Sequence, residues 1–462
     1  MEKWKNSINQ NLPIAVIGAG FCGISAALAL TDHHETVHVF ESAGSAGGLS
    51  CDDAYESFRI ENIYHHIFTS DHAMIDMMKR FDQLPQIHWY KPKNAVFYGG
   101  TLYPFTTPKD LLSFRPMPFI ARLRTGLTVI LARVFNDPWK LDKITAKKWL
   151  QTFGGKKAYQ VLWEPLLRSK FDLDADAISG TWIWNKFKLR GASRQKGLAN
   201  ESLGYPEGGF MPLLQAMIHK IVSSSGKIEL NTRINKININ DDGTFCLDDA
   251  STSSSLNQQR FKKVLFTGSS ESFLSMLPFS ISQKIISHQE TAVPFGIEGI
   301  GYKANLCLQL TLSNSLSPWY WITVSDSALP FVVVVEHTQL TGKEPYGSHI
   351  VYLSRYLSAN DPLYSKSDDE VIECFLQGLH SMFSEFERGS VLNLKLTRSR
   401  YAQPIVTVGS GSRRSPVKLP IEGLFLAGMA QIWPEDRGLN YAILQGINAA
   451  QVMIQCEEKV KN

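Results

Sequence analysis

The apolar positions of this chain come in short blocks whose period changes from stretch to stretch. Residues 14–17, Ile-Ala-Val-Ile, are continuously apolar, as in a strand buried on both faces. Gly18, Gly20 and Gly23 follow, then an Ala-rich segment, Ile24 to Leu30, which predicts strand, tight turn and helix. A second strand is predicted at Val37–Phe40. Met74, Met77, Met78 and Phe81 recur at helical spacing behind Ser70-Asp71, a predicted cap, and the methionines are expected in a core. Val96 to Pro104 reads as a hairpin turning at a Gly-Gly pair. From about Pro108 to Phe187 the pattern is mainly helical. Trp139, Trp149, Trp163, Trp182 and Trp184 there are expected largely in a core, with some lining a substrate cleft.

The segment Gly204 to Gly209 is expected to open another helix, with Leu214, Met217, Ile218 and Ile221 inward and Gly226 as its stop. Strands are predicted at Lys227–Leu230, Ile234–Ile239 and Val264–Thr267, with a turn at Asp241-Asp242-Gly243 and an exposed Ser-rich loop over Ser251–Gln259. Residues 295–395 are strand-rich, with apolar runs at Phe331–Val335 and His349–Leu353 and one helical stretch, Asp368–Phe383. Tyr401-Ala-Gln-Pro404 closes this region. The last 45 residues return to the opening pattern: a buried strand ending at Gly428, then Pro434 to Tyr441 and a helix through Ile454.

Composition narrows the picture. At 462 residues the chain exceeds one ordinary core, so two or more lobes are expected. Hydrophobic content of 44% excludes a disordered chain, and a formal charge of +4 gives no case for nucleic acid. The six cysteines show no Cys-x-x-Cys pair and no metal spacing, so no metal and a reduced, cytoplasmic setting are expected. Met1 to Asn11 is polar and does not read as a secretion signal. No apolar run reaches the ~20 residues needed to cross a bilayer. Phe119 to Phe135 comes closest, interrupted by Arg122, Arg124 and Arg133. It reads as an amphipathic helix that faces a core, walls a hydrophobic tunnel, or lies on a membrane surface, with a core as the default. Peripheral contact at the inner face of a membrane therefore stays open.

The candidate chemistry lies at the two ends. Gly18 permits the tight turn, Gly20 lets a pyrophosphate approach the backbone, and Gly23 lets helix and strand pack closely. Glu41 ends the second strand, eighteen residues after Gly23, where a carboxylate can accept from a ribose hydroxyl. Near the other end, Asp436, Gly438 and Asn440 sit at a helix start and suit a polar ring edge and a sugar-alcohol chain. The two ends are expected to meet on one cofactor.

Glu41 with Gly47-Gly48 resembles the FAD signature of glutathione-reductase-like flavoproteins. With Gly208-Gly209, Arg233-Ile234 and Gly428…Asp436-Arg437-Gly438…Asn440 in order, the whole chain resembles the superfamily of monoamine oxidase, protoporphyrinogen oxidase, phytoene desaturase and UDP-galactopyranose mutase. Tyr64-His-His-Ile-Phe-Thr-Ser-Asp71, Trp163-Glu-Pro-Leu-Leu, Tyr401-Ala-Gln-Pro and Pro434–Tyr441 resemble bacterial proteins described as protoporphyrinogen-oxidase-like.

The resemblance implies an α/β fold. A Rossmann-like, glutathione-reductase-type FAD domain would be built from residues 1–75, 205–275 and 396–462. An α+β substrate domain would combine a helical, aromatic lobe at 76–204 with a strand-rich part at 276–395. It implies non-covalent FAD held by Gly18, Gly20, Gly23, Glu41, Gly47, Gly48, Leu49, Ile234, Gly428, Asp436, Arg437, Gly438, Asn440 and Tyr441. His66, by its match to the Gly-x-His-Ile-Phe stretch of the mutase, is the candidate catalytic residue beside the flavin. The implied activity is transfer of hydride from a substrate C–H to flavin N5. The small-molecule substrate is left open among amine, porphyrinogen, isoprenoid and sugar nucleotide. The alternative is a mutase-like isomerase acting on a nucleotide sugar, which needs an arginine clamp from among Arg355, Arg400, Arg413 and Arg414.

Overall fold

Strands from distant parts of the chain are drawn together into one parallel sheet. A computed structural model describes residues 11–55, 58–192, 201–249, 255–287, 297 and 299–461. The polar start before Asn11 and residues 251–254 of the Ser-rich loop lie outside the described residues. In the five-stranded sheet, Ile14–Ile17 is central, flanked by Val37–Phe40 and Lys263–Phe266; Lys227–Glu229 and Leu424–Leu426 form the edges. All four residues of Ile14–Ile17 are buried, because both faces of the sheet are covered. One face carries the helices Phe21–Asp32, Met211–Ser223 and Leu439–Lys461. The other packs on Ile234, Ile237, Phe245, Leu247 and Phe273. The α/β class and the parallel sheet built from discontinuous segments are as expected.

A seven-stranded sheet forms the second layer, in the order Val391–Pro404, Tyr302–Leu312, His349–Leu357, Val333–Glu336, Trp321–Val324, Asn94–Tyr98 and Thr101–Pro104. The hairpin turns at Gly99 and Gly100, both at positive φ, as the sequence predicts. It joins this sheet and not the helical lobe, because Trp321–Val324 runs parallel to it from Asn94 to Phe97. The helix Asp368–Met382, held by a Ser367/Glu370 capping box, covers the sheet with Val371, Phe375 and Leu379.

The helical lobe packs around Trp149, Trp163, Trp182 and Trp184, all buried, whereas Trp139 is exposed. The Trp184 indole N–H donates to the Ala132 and Phe135 carbonyls at the end of the helix Phe119–Val134. That helix reverses the default expectation. Its buried positions are the small ones, Ala121, Thr125, Thr128 and Ala132, and its large apolar residues apart from half-buried Val129 are exposed. The threonine hydroxyls donate to carbonyls one turn back, which lets the small face pack without stranded polar atoms.

Glu61 joins the layers. Its carboxylate accepts from the Tyr205 hydroxyl at 2.6 Å and the Phe210 N–H at 3.0 Å. Its carbonyl accepts from the Tyr352 hydroxyl and the Gln309 amide. Residues 203–206 are a strand, not a helix start, and the helix begins at Met211. Gly209 sits at φ +77° and a Cβ there would lie 2.6 Å from Glu61 Oε1. Glycine is thus required twice, by conformation and by the carboxylate. Gly209→Ala is expected to destabilise the fold by roughly 2–3 kcal/mol; an unchanged urea midpoint would show that the Glu61 network is not strained by a side chain here.

Candidate active site

At the carboxyl ends of the parallel strands lies a cavity of about 400 Å³. Its wall includes Gly18, Gly20, Glu41, Gly47, Gly48, Leu49, Ile234, Gly428, Arg437 and Gly438. The first and last stretches of the chain therefore meet at one hollow. Gly23, Asp436, Asn440, Tyr441 and His66 are not on that wall.

The glycines of the turn have different reasons to be glycine. Gly18 has φ +108°, and a Cβ on it would meet Thr267 Oγ1 at 2.4 Å. A Cβ on Gly23 would lie 1.9 Å from the Gly18 carbonyl oxygen, so this residue sets how closely helix and strand pack. Gly20 is extended, with φ −73°, and its nearest atoms among the described residues would be 3.9 Å from a Cβ. Nothing in the chain itself demands glycine there; the space beside it is the cavity. The helix Phe21–Asp32 starts at this point and leaves its first-turn N–H groups without intrahelical acceptors, which suits an anion.

Glu41 is fixed at the cavity edge. One carboxylate oxygen accepts from Ala19 N–H at 2.9 Å, the other from Ala43 N–H at 2.9 Å and the Ser42 hydroxyl at 3.2 Å. Thr267, Arg233, Tyr302, Tyr401 and Gln445 also line the cavity. The rule that ligands sit at the carboxyl ends of parallel strands points to Thr267, directly after Lys263–Phe266. No local pattern marks Tyr302 or Gln445.

Of the two adjacent histidines, the structure brings His65 to the cavity wall. Its Nδ1 lies 2.7 Å from the Ile63 carbonyl, which can only accept, so Nδ1 carries the proton and Nε2 the lone pair. Burial, then the Arg437 charge, push its pKa down to about 4. His66 instead pairs through Nδ1 with the Tyr320 hydroxyl at 2.9 Å, among the rings of Phe68, Tyr320 and Trp321.

Arg437 leads into a charged cluster. It donates to the Gln403 side chain and the Tyr356 hydroxyl. Buried Asp436 accepts from Gln403 at 3.0 Å and pairs with Lys186 at 2.6 Å. Burial alone would raise the Asp436 carboxyl, but Lys186, then Lys170 and Arg437, hold it below the usual carboxylate range. Lys170 lies 4.0 Å over the Tyr356 ring, and burial first, then Arg437, push its amine well below the ordinary lysine value. Even with Lys170 neutral, Arg437 and Lys186 outnumber the one carboxylate.

Asn440 is an internal tie. Its side-chain oxygen accepts from Met74 N–H at 3.2 Å, capping the helix His72–Arg80 from across the chain. Asp71, the predicted cap, accepts from Phe68 N–H instead.

The sequence profile of the family described as flavin containing amine oxidoreductase matches residues 21–454. The chain belongs to this family. As a flavin-containing amine oxidoreductase relative it takes FAD, and the cradle beside Gly20, the open helix end and Glu41 fit a dinucleotide. The 15-cis-phytoene desaturase of Capsicum annuum is 22% identical over 264 residues, covering 54% of this chain and 41% of that protein. The chain thus spans about two-fifths of that relative's length. Cyclohexylamine oxidase from Brevibacterium oxydans superposes with a TM-score of 0.69 at 15% identity, over 97% of this chain and all of that one. Reduced UDP-galactopyranose mutase superposes equally well, 0.69 at 15% identity, over 96% of each chain. At these identities the two structures show a shared fold.

Gly20→Val tests the cradle. The φ of Gly20 admits valine and no described chain atom is crowded, so the variant is expected to purify colourless yet melt at the same midpoint as wild type stripped of FAD. A yellow variant with full FAD content would place the pyrophosphate elsewhere. A second test concerns pH. Because the folded pKa of His65 is depressed, its neutral ring adds stability above about pH 6.5 that is lost as the pH falls towards 4. The stability difference between wild type and His65→Gln should shrink by roughly 1.5 kcal/mol from pH 6.5 to 5, the slope rising towards about 1.4 kcal/mol per pH unit as the unfolded-state imidazole becomes protonated. A pH-independent difference in urea midpoints would show that His65 is not held neutral.

Proposed function

We propose that the protein is an FAD-dependent oxidoreductase that oxidises a small organic substrate at a C–H bond. Bound FAD supplies the hydride acceptor, at flavin N5. In this reading Gly18, Gly20 and the start of Phe21–Asp32 hold the pyrophosphate, with Gly23 enabling their approach. Glu41 accepts from the adenosine ribose, and Ile234 borders the adenine. Gly47, Gly48, Leu49, Gly428 and Gly438 border the rest of the dinucleotide, and Arg437 marks the flavin end. Asp436, Asn440 and Tyr441 act from behind the wall: Asp436 orients Arg437 through Gln403, and Asn440 anchors the last helix. His65 replaces His66 as the residue facing the flavin.

The observation that carries the proposal is the single cavity walled by both chain ends and backed by Arg437, Lys186 and Lys170. A positive inner end favours negative charge on the group it faces, and a neutral His65 offers a lone pair without adding charge. The mutase reading is weaker, because its arginine candidates turn elsewhere. Arg355 donates to the Pro330 carbonyl, and Arg413 to the Thr407 side chain and the Val408 carbonyl. Arg400 is exposed beside Glu271, and Arg414 donates to Gly411.

The proposed domain boundaries follow the sequence expectation except that 94–104 and 396–404 belong with the strand-rich part, since both run in the seven-stranded sheet. Among the described residues no helix is long and apolar enough to cross a membrane. A cytoplasmic protein with peripheral contact to the inner membrane face is the proposed location.

The test is an anaerobic screen of the yellow protein against amines, a porphyrinogen, an isoprenoid chain and a nucleotide sugar. One C–H donor should bleach the flavin without prior reduction, and His65→Ala should slow that bleaching about tenfold or more while keeping FAD. Turnover of the nucleotide sugar only after dithionite reduction, with no bleaching by the other three, would overturn the proposal in favour of an isomerase.

A further inference from the structure

The helix Phe119–Val134 carries an apolar face that stands exposed among the described residues. Phe119, Ile120, Leu123, Leu127, Ile130, Leu131 and Val134 recur every three to four residues along one side. Ile120 is 71% exposed, Leu127 54% and Val134 70%. Neighbouring segments extend the patch. Arg122 reaches the Leu112 carbonyl and Arg124 the Phe153 carbonyl, so exposed Leu112 and Phe153 flank the helix. Exposed Trp139 follows its end. An apolar surface this continuous, on a lobe whose own core is already filled by Trp149, Trp163 and Trp184, marks a place of contact.

Charge identifies the partner. Residues 105–157 hold eleven Lys and Arg against three Asp, one of which, Asp142, is buried. The rest of the chain holds thirty-six against forty. The net positive charge of the protein is therefore concentrated on the segment that bears the apolar face. Lys156 and Lys157 are exposed next to Gly155, where a Cβ would lie 3.3 Å from the Arg124 guanidinium, so the rim beside the helix is basic. Basic groups around an apolar stripe complement a surface of anionic headgroups over acyl chains. A second copy docked face to face would set this positive charge against itself. The helix, with sixteen residues, is too short to span a bilayer and fits lying in its surface.

We propose that this face docks the protein on a bilayer of anionic phospholipid, with the axis of Phe119–Val134 in the interfacial plane and Ile120, Leu127 and Val134 inserted among the lipid chains. The proposal deepens the peripheral location given above and is independent of the flavin reading, since lipid binding does not depend on turnover.

The test is flotation of the full FAD-loaded chain with vesicles of phosphatidylglycerol and phosphatidylcholine, or of phosphatidylcholine alone. The protein should float with the anionic vesicles, at least about tenfold less with the neutral ones, and less as salt is raised. Ile120→Glu with Leu127→Glu should lower flotation by about tenfold or more, and Lys156→Glu with Lys157→Glu should lower it on anionic vesicles only. Both pairs are exposed, so yellow colour and melting midpoint should be kept; a pair that loses them is replaced by Val134→Glu. Absence of flotation on anionic vesicles at low salt would overturn the proposal. So would equal flotation by the apolar variant, or a concentration-dependent dimer in light scattering that Leu127→Glu dissolves.

Discussion

Around the first turn of Phe21–Asp32, backbone meets backbone with no side chain between. A Cβ on Gly23 would collide with the Gly18 carbonyl, one on Gly428 with the Gly268 carbonyl at 2.7 Å, and one on Gly446 with the Cys22 carbonyl at 2.2 Å. These contacts draw three loops and two helices from opposite ends of the chain to one point. The side-chain volume left out there makes both the close packing and the hollow: Gly23, Gly428 and Gly446 spend it on chain against chain, Gly20 on the cavity. A larger residue at any of the first three would push apart the segments that wall the site.

Most of the local patterning is legible in the sequence, although Leu203–Pro206 forms a strand ahead of its helix and the Asp71 side chain does not cap the next one. A four-residue apolar run, a glycine turn and an Ala-rich helix are signals contained within one stretch, and the parallel sheet follows from their repetition. The buried methionines at 74, 77 and 78 are of the same kind. Side-chain direction in extended segments was not legible. His65 and His66 are adjacent, just before the strand Ile67–Phe68, and their side chains go to different partners. Which side holds the cavity is settled by Tyr320, 254 residues further on. Asn440 likewise reads as a cofactor contact until the position of Met74 is known. For Phe119–Val134 the amphipathic period was plain, but not which face turns inward: small residues and threonines pack against the lobe, against the usual preference for large apolar contacts.

The charged cluster behind Arg437 belongs to the same long-range class. Lys170 and Lys186 come from the helical lobe, Tyr356 and Gln403 from the seven-stranded sheet, and Asp436 and Arg437 from the segment leading into the last helix. A buried carboxylate is costly unless it is paired and hydrogen-bonded, and Asp436 has both kinds of partner. Its stability therefore depends on all three parts of the protein being in place. The cavity's inner end forms only when the lobes have closed, whereas the turn at Gly18 to Gly23 is specified by its own residues. A site divided in this way can keep one cofactor cradle while its inner end changes with the lobes.

The apolar face and the cavity are joined by a short path. Trp139, at the end of the exposed face, packs on Trp433 with ring centroids 4.3 Å apart, and the Arg414 guanidinium lies over the same ring. Asp142 accepts from Gly411 N–H at 2.8 Å and from the Ser179 hydroxyl, tying the lobe to the loop before the last strand. Ile432, next to Trp433, lines the cavity. A lobe held against a lipid surface would thus hold one wall of the cavity in a set orientation to that surface. The contact that carries this is aromatic packing backed by a buried carboxylate, not a flexible linker, so docking would act on that wall through one rigid element.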